Sequence, residues 1–292
     1  MSSLRLIALL LVLAAAIASI VMVQRRKEQA VVSPNAVLTM AADAQRDVLR
    51  VPMHLTRLSD EEETEIGDKM ASHYMESFGR LSATDQDLQK KVDEIGGRLA
   101  AHTHRKLKYR FHLIPNRSFL NAFALPGGHV FIGSGLVRLM ETEDELANVL
   151  GHEMEHIDHY HCAERMQVEA QMRKLQLGVA GDLLQIPLSL FEAGYSKDQE
   201  LEADREGLLL ASASGFSPYG AVTMFEKFAK LHSEYVIHAE TPPEELSQLA
   251  IETLEGYFRS HPLPEERIAQ AKKLIAEHHL QNQSRQTPLV LA

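Results

Sequence analysis

The sequence contains the run His152-Glu153-Met154-Glu155-His156, whose side chains can bind a metal ion and move a proton. Residues four apart on an α-helix lie on the same face about one turn apart, so the imidazoles of His152 and His156 project together. Two imidazoles placed in this way can ligate one Zn²⁺ ion. Glu153 lies about 100° around the helix, where its carboxylate can act as a general base. Taken alone, the pattern predicts either such a site or a coincidental surface pattern.

The residues around this pattern predict the helix that must position it. Thr142 and Glu145 have the spacing of a capping box, which places the start of a helix near Thr142. The apolar residues that follow recur at helical spacing, which indicates a buried, rigid helix running to about Tyr160. Those apolar residues are Leu146, Val149, Leu150 and Ile157.

A second predicted helix, near Lys197 to Ser214, offers carboxylates for a third ligand in the run from Gln199 to Gly207. Glu200 and Asp204 are four residues apart and share a face, whereas Glu202 points about 200° away from Glu200. A ligating histidine usually donates its other N–H to a carboxylate. Glu200 as ligand and Asp204 as that partner would fill both roles from one face. The alternative, a solvated acidic face, does not account for the apolar residues interspersed with these carboxylates.

Four ordered stretches of the chain resemble a known family of zinc peptidases. They are Asn121 to Gly128, Glu145 to His161, Tyr195 to Gly207 and Ser260 to Arg267. HExxH followed by ExxxD is the gluzincin pattern. The surrounding residues resemble the BepA- and Oma-type zinc endopeptidases, which are relatives of HtpX and the CAAX prenyl proteases. The resemblance covers most of residues 59–280.

This resemblance implies roles for the residues of the two helices. It implies one Zn²⁺ ion per chain, held by His152, His156 and Glu200. It implies Glu153 as the catalytic base and Asp204 as the partner of a ligating imidazole.

The resemblance also implies roles for residues outside the two helices. His261 and Arg267 are expected to be catalytic, either of them stabilising the oxyanion. For His261 two further interpretations stay open: a latch that caps the zinc, or a residue that simply ends a helix. The resemblance places Asn121, Ala122 and Phe123 on an edge strand beside the substrate.

Two further histidines follow the HExxH pattern. His159 lies on the ligand face and is expected beside the site or in the core. His161 matches a position of the family, but it lies 180° around the helix from His152, so we do not expect it to be a ligand.

Composition bounds the class of protein. The chain has 292 residues, 45% of them hydrophobic and only 6% aromatic, which is typical of a globular, helix-rich domain with an aliphatic core. The net charge of −10 and the lack of a basic stripe argue against a nucleic-acid partner. Cys162 is the single cysteine, so no intrachain disulfide can form, and we expect it to be buried as a small hydrophobic residue.

The amino end predicts targeting to a membrane. The run from Leu6 to Val23 is apolar except for Ser19 and is just long enough to span a bilayer. Ala16 to Ala18 resemble a signal-peptidase site, whereas the basic residues from Arg25 to Lys27 favour a cytoplasmic carboxyl side. We therefore predict a signal peptide or a single anchor over residues 1–27. The predicted location is the bacterial cell envelope, membrane-anchored or periplasmic, with the side of the membrane open.

The fold class predicted is α+β and mainly α, a zincin-like peptidase domain over residues 59–280. Alternating residues from Leu107 to Leu113 indicate a strand, and two apolar stretches within Leu120 to Ile132 flank a Pro-Gly-Gly turn and indicate a hairpin. This small sheet should lie beside the HExxH helix. Residues 28–58 are predicted to be a linker and residues 281–292 a loose tail.

Together these features predict a zinc-dependent endopeptidase that acts on polypeptides, namely misfolded or unassembled envelope proteins. The alternative is a latent, zinc-bound module that binds such clients like a chaperone, with little turnover. A purely structural zinc site is disfavoured, because it would need several cysteines. The oligomeric state stays open.

Overall fold

The computed structural model describes residues 58–167, 191, 195–233 and 264–290. The predicted signal or anchor segment (1–27), nearly all of the predicted linker (28–58) and His261 lie outside these ranges. Within them, no helix combines the length and the apolar character that crossing a bilayer requires.

The described residues include seven α-helices and three strands, which confirms the predicted mainly helical fold with a small sheet. In chain order these are α1 (Asp60–Phe78), α2 (Ala83–Ala100), β1 (Arg110–Ile114), β2 (Ala122–Leu125), β3 (His129–Gly133), α3 (Ser134–Leu139), α4 (Glu143–Asp158), α5 (Lys197–Ala213), α6 (Tyr219–Leu231) and α7 (Pro264–Glu277). The HExxH pattern lies on α4.

The sheet has the strand order β1-β3-β2, with β1 parallel to β3 and β2 antiparallel to it. The hairpin was predicted, and β3 joins it to the first strand. Ala122 and Ala124 face the large core that contains α4, whereas Phe123 faces a second cluster with Phe131 and Met70. The two faces of β2 therefore serve different cores, as the period of two in a strand requires.

The two edges of the sheet differ in how their backbone groups are satisfied. The Gln89 side chain covers the edge of β1, since its Nε2 donates to the Phe111 carbonyl (2.9 Å) and its Oε1 accepts from the Leu113 N–H (2.7 Å). At the other edge, the Gly133 N–H donates to the Asn121 carbonyl (3.0 Å). Because hydrogen-bonded pairs alternate along an antiparallel ladder, the backbone groups of Ala122 face outward.

The capping box predicted for the HExxH helix is present. The Glu145 N–H donates to Thr142 Oγ1 (3.2 Å) and the Thr142 N–H donates to the Glu145 carboxylate (3.3 Å). The helix ends at Asp158, close to the predicted end, and Tyr160 then adopts a left-handed conformation with φ 62°. This turn comes four residues after His156, the second metal-ligand candidate.

A buried ion pair ties the hairpin turn to the end of α4. Gly127 and Gly128 have φ of 78° and 99°, a conformation that favours glycine, and the Gly127 N–H donates to Glu63 Oε1 (3.1 Å). The other oxygen of Glu63 lies 2.6 Å from Arg105 Nη2, and Arg105 Nη1 donates to the Ile157 carbonyl (2.7 Å). These bonds fix the last turn of α4 against α1.

The carboxyl-terminal segment, which the sequence predicts to be a loose tail, is hydrogen-bonded to the start of α4. The Thr287 N–H donates to Asp144 Oδ2 (2.6 Å), and the Thr287 carbonyl accepts from the Glu143 N–H (2.8 Å). The Leu289 N–H donates to the Glu141 carbonyl (2.8 Å). The first turn of a helix has N–H groups without partners inside the helix, and the tail satisfies one of them.

Candidate metal centre

Three ligand atoms converge at the junction of α4 and α5. The Nε2 atoms of His152 and His156 are 3.1 Å apart. Glu200 Oε2 lies 3.5 Å from His152 Nε2, and Glu200 Oε1 lies 3.8 Å from His156 Nε2. All three residues are buried, and within the described ranges they are the one group of three such side chains close enough to share an ion. The structure thus brings together the three residues that were predicted as ligands.

A close approach between the two helices sets this geometry. A Cβ atom built on Gly207 would lie 2.7 Å from the His152 nitrogen, and one on Gly151 would lie 2.9 Å from the Gly207 oxygen. The helices therefore touch backbone to backbone, a distance that only glycine permits at these two positions. This contact places Glu200 opposite the histidines of α4.

His152 is held from its other nitrogen by an ion pair. Its Nδ1 lies 2.8 Å from Asp204 Oδ1, and Arg267 binds both oxygens of Asp204 through Nη2 (2.6 Å) and Nε (2.7 Å). Burial raises the pKa of Asp204, but the Arg267 guanidinium and His152 outweigh it and lower that pKa to about 2. Asp204 is therefore ionised near neutral pH and accepts the Nδ1 proton of His152.

His156 is held in a different way. Its Nδ1 lies 2.9 Å from His161 Nδ1, and His161 Nε2 lies 3.3 Å from Glu202 Oε2. The Tyr195 ring stacks on His156 with 4.0 Å between centroids, and the Tyr195 N–H donates to Glu200 Oε1 (2.7 Å). Each of the three ligand candidates therefore has its own supporting contact.

The negative surroundings favour a cation where the ligand atoms meet. Burial lowers the pKa of His152, but the carboxylates of Asp204 and Glu200 raise it to about 10. Two imidazoles and one carboxylate are the donor set of a catalytic zinc site that keeps a position open for water. The residues therefore fit a metal ion.

Glu153 is buried beside His152. Burial raises the pKa of the Glu153 carboxyl to about 7, although the positive charge of His152 opposes that change. A carboxyl group with a pKa near the working pH can both accept and return a proton.

Residues 82–275 match the family model described as Peptidase family M48. The chain belongs to this family. The matched residues include the three ligand candidates, Glu153 and Asp204. Membership confirms the resemblance drawn from the motifs and the predicted enzyme class, since the chain carries a metalloendopeptidase domain.

Several M48 relatives have names that describe a role. The beta-barrel assembly-enhancing protease of Escherichia coli (strain K12) is 31% identical over 235 residues, which is 74% of this chain and 44% of that protein. The metalloprotease LoiP of the same strain is 30% identical over 186 residues, 60% of this chain and 72% of LoiP. The mitochondrial metalloendopeptidase OMA1 of Arabidopsis thaliana is 34% identical over 152 residues, 50% of this chain and 31% of OMA1. The chain thus spans less than half the length of the assembly-enhancing protease.

An apolar cavity of about 30 Å³ opens beside Glu153 in this M48 domain. Polar lining comes from His152, Asp204, Arg267 and Asn148. Apolar lining comes from Ala122, Leu136, Val149, Leu208, Ala221, Met224, Phe225 and Phe228. A pocket that is mostly apolar and has a few convergent polar groups is the usual form of a substrate site.

The predicted substrate-binding residues divide between the two faces of β2. Ala122 lines the cavity, and Asn121 Oδ1 accepts the Ala122 N–H (2.9 Å) at the outward edge. Phe123 lies on the other face: its ring stacks on Phe131 with 5.0 Å between centroids, on the side turned away from α4. Its backbone also faces β3, so neither part of Phe123 points to the site.

Arg267 lies behind His152, on the Nδ1 side of the imidazole. Its Nη2 is 3.5 Å from His152 Nδ1, and its guanidinium packs on the Phe225 ring, 4.2 Å from the centroid. These contacts support a role in positioning Asp204 and His152, and they give no support to the predicted role toward an oxyanion.

The two later histidines also differ from the ligands. His159 follows the last residue of α4, and its Nε2 lies 3.2 Å from Glu155 Oε2. His161 is outside the convergent group, as expected, but its contact with His156 was not foreseen. The match of His161 to a position of the family was the one signal that could have drawn attention to it. Cys162 is buried, as predicted, with Sγ 3.1 Å from the Tyr195 hydroxyl.

Proposed function

We propose that this chain is a zinc-dependent endopeptidase. The observation that carries the proposal is the convergence of His152 Nε2, His156 Nε2 and the Glu200 carboxylate beside the buried Glu153. His152, His156 and Glu200 would hold the ion, one per chain. Bound there, Zn²⁺ would polarise the attacking water and the scissile carbonyl.

The protons of the two imidazoles are consistent with ligation. Asp204 accepts from His152 Nδ1, and we assign the Nδ1 proton of His156 to its bond with His161. Both histidines then direct an Nε2 lone pair toward the shared point, which is the form of imidazole that binds a metal.

Glu153 would move the proton during hydrolysis. Its carboxylate takes a proton from the attacking water and later gives it to the nitrogen of the departing amine. Glu153 lines the apolar cavity beside the ligand candidates. The same carboxylate could therefore reach both the attacking water and the nitrogen of the departing amine. Proton transfer of this kind typically contributes about 10² to 10⁴-fold in rate.

The edge of β2 that faces away from β3 would bind the substrate as an extended strand, in place of the side chains that now bury it. The outward N–H of Ala122 is bonded to Asn121 Oδ1, an oxygen that a substrate carbonyl could replace. The opposite edge of the sheet is covered by Gln89. Strand addition at β2 would therefore place a peptide along α4 without competition from β1.

The cavity would receive an apolar side chain next to the scissile bond. Because the carboxyl that protonates the departing amine lines this cavity, the side chain that enters belongs to the residue whose nitrogen is released. Because the cavity is small, we expect cleavage before small apolar residues.

The biological substrates that we propose are misfolded or unassembled proteins of the bacterial envelope. The support is the relative named for enhancing beta-barrel assembly and the N-terminal apolar segment predicted from the sequence. Membrane attachment through residues 1–27 belongs to this proposal. The alternative of a latent client-binding module does not account for a buried carboxyl poised for proton transfer beside the ligands.

The test compares wild-type protein with Glu153→Gln. Gln is nearly isosteric but cannot accept the proton, so this variant should retain about one zinc per chain and lose cleavage of an unfolded protein such as casein. Glu155→Gln is the matched control, since Glu155 lies in the same motif and contacts His159; it should retain both properties. Equal cleavage by wild type and Glu153→Gln would refute the role of Glu153. Client binding without cleavage by wild type would favour the latent module.

The proposed latch is tested with His261→Ala. If His261 fills the open position of the zinc, the variant should keep its zinc and cleave unfolded clients faster. Loss of activity with zinc still bound would instead make His261 a catalytic electrophile. Unchanged activity would leave it no role at the metal.

A further inference from the structure

The two histidine ligands are supported by different kinds of partner. His152 bonds directly to a carboxylate, that of Asp204. His156 bonds to a second imidazole, that of His161, and the carboxylate of Glu202 lies behind it. A ligating histidine needs a partner that takes its other proton and fixes its ring. For His156 that carboxylate partner, Glu202, is reached through the intervening imidazole of His161.

The hydrogen-bonding capacities of His156, His161 and Glu202 allow one consistent assignment of their protons. His156 must carry its proton on Nδ1 if Nε2 is to face the metal, so Nδ1 donates to His161 Nδ1. His161 then carries its own proton on Nε2, which points at Glu202 Oε2 at 3.3 Å. Both imidazoles are neutral in this arrangement, and the Glu202 carboxylate is the final acceptor.

The backbone conformation of Tyr160 helps to place His161 beside His156. Tyr160 has φ 62°, which bulky residues rarely adopt and which tends to occur at functional sites. The Arg105 guanidinium covers the Tyr160 ring at 3.8 Å and holds this conformation. His161 follows this residue, is only 3% exposed and lies against His156, five residues earlier in the chain.

We propose that His161 and Glu202 are positioning residues that hold His156 in the tautomer and orientation required for metal binding. The inference rests on the proposed function, because it concerns the affinity of the same site. Neither residue touches the shared point of the ligands. Their loss should therefore weaken the site while leaving its three ligands in place.

The test measures zinc affinity by competition with a chromophoric chelator at fixed pH. His161→Phe keeps a ring but removes the acceptor, and it should raise the Kd for zinc by about 10- to 100-fold. His161→Asn can place an amide oxygen where Nδ1 stands, so it should recover much of that affinity. Glu202→Ala should weaken zinc binding several-fold without abolishing it.

Glu206→Ala is the matched control for Glu202, because Glu206 lies one turn further along α5 and contacts Arg205. It should bind zinc as wild type does. With Co²⁺ in place of Zn²⁺, the visible absorption bands should change in His161→Phe and not in Glu206→Ala, since they report ligand geometry rather than stability.

The outcomes separate this inference from the proposed function. If wild type binds zinc and His161→Phe, shown to be folded by circular dichroism, binds it equally well, the inference is wrong and the proposed function stands. If His161→Phe does not fold, equal affinities of Glu202→Ala and Glu206→Ala would overturn it. A wild-type protein that binds no zinc would overturn the proposed function itself.

Discussion

Gly207→Ala is a substitution for which local and tertiary reasoning disagree. Alanine is a better helix former than glycine by about 1 kcal/mol, so propensity alone predicts a more stable protein. In the structure, however, the new Cβ atom would lie 2.7 Å from the His152 nitrogen and 2.9 Å from the carbonyl carbon of Gly151. All of these neighbours are backbone atoms, so no side-chain rotation can relieve the contact.

The size of the effect follows from these distances. Ordinary contacts of a Cβ atom begin at 3.4 Å, so α4 and α5 would have to separate by about 0.7 Å, the difference between 3.4 and 2.7 Å. Overpacking of this kind costs about 1–3 kcal/mol, which more than offsets the gain in propensity. Glu200 would move with α5, and misplacement by about 1 Å can cost about 10²-fold in rate. We therefore expect a net loss of about 1 kcal/mol in stability and at least a 10-fold loss of activity.

Urea denaturation measures the change in stability and cleavage of casein measures the change in activity, while zinc competition reports whether Glu200 has moved. Gly97→Ala in α2 is the control, because a Cβ atom there would meet no atom within 4 Å, and it should raise stability by up to about 1 kcal/mol. A Gly207→Ala protein that is as stable as wild type, with unchanged zinc affinity, would show that the contact between α4 and α5 does not set the position of Glu200.

Three further predictions concern other parts of the domain. Burial and nearby positive charge lower the pKa of His112 to about 4, whereas the pKa in an unfolded chain is about 6.5. Between these two pH values the unfolded state binds a proton that the folded state does not. The free energy of unfolding should therefore fall as the pH drops from 6.5 to 4. Because His112 is partly exposed, the loss of stability at pH 5 should be about 1–2 kcal/mol. Urea denaturation at pH 7 and pH 5 should show this loss in the wild type and not in His112→Gln. The same pH difference in both proteins would refute the assignment of the loss to His112. Ala221→Val should narrow the cavity and leave the zinc content unchanged. Cleavage of a peptide library should then shift toward smaller side chains after the scissile bond. A cleavage preference identical to that of the wild type would mean that no substrate side chain enters the cavity. Asp204→Ala removes the carboxylate that binds buried Arg267 and should cost about 3–5 kcal/mol in the free energy of unfolding, whereas Asp198→Ala, at an exposed position of the same helix, should cost little. Similar urea midpoints for the Asp204 and Asp198 variants would contradict this reasoning.

The sequence by itself determined the features that depend on residues a few positions apart. The capping box of Thr142 and Glu145, the shared face of His152 and His156 and the shared face of Glu200 and Asp204 all follow from the helical repeat. The hairpin around Gly127 follows from turn chemistry in the same way. These interactions span three or four residues, so they can be predicted from the sequence without the tertiary structure.

Only the tertiary structure decided how those local elements meet. The backbone contact between Gly151 and Gly207, the bond of Arg267 to Asp204 and the docking of Thr287 on the start of α4 join segments that are far apart in sequence. The side of β2 that Phe123 faces was likewise set by which helix covers the sheet.

His161 shows the same division at short range. Helical geometry correctly keeps it off the ligand face, yet the chain leaves the helix at Tyr160, where φ is positive, and brings His161 back to His156. A periodic rule holds only while the helix continues. The contact therefore depended on where α4 ends and on the side chains that hold the turn, which only the packed structure shows.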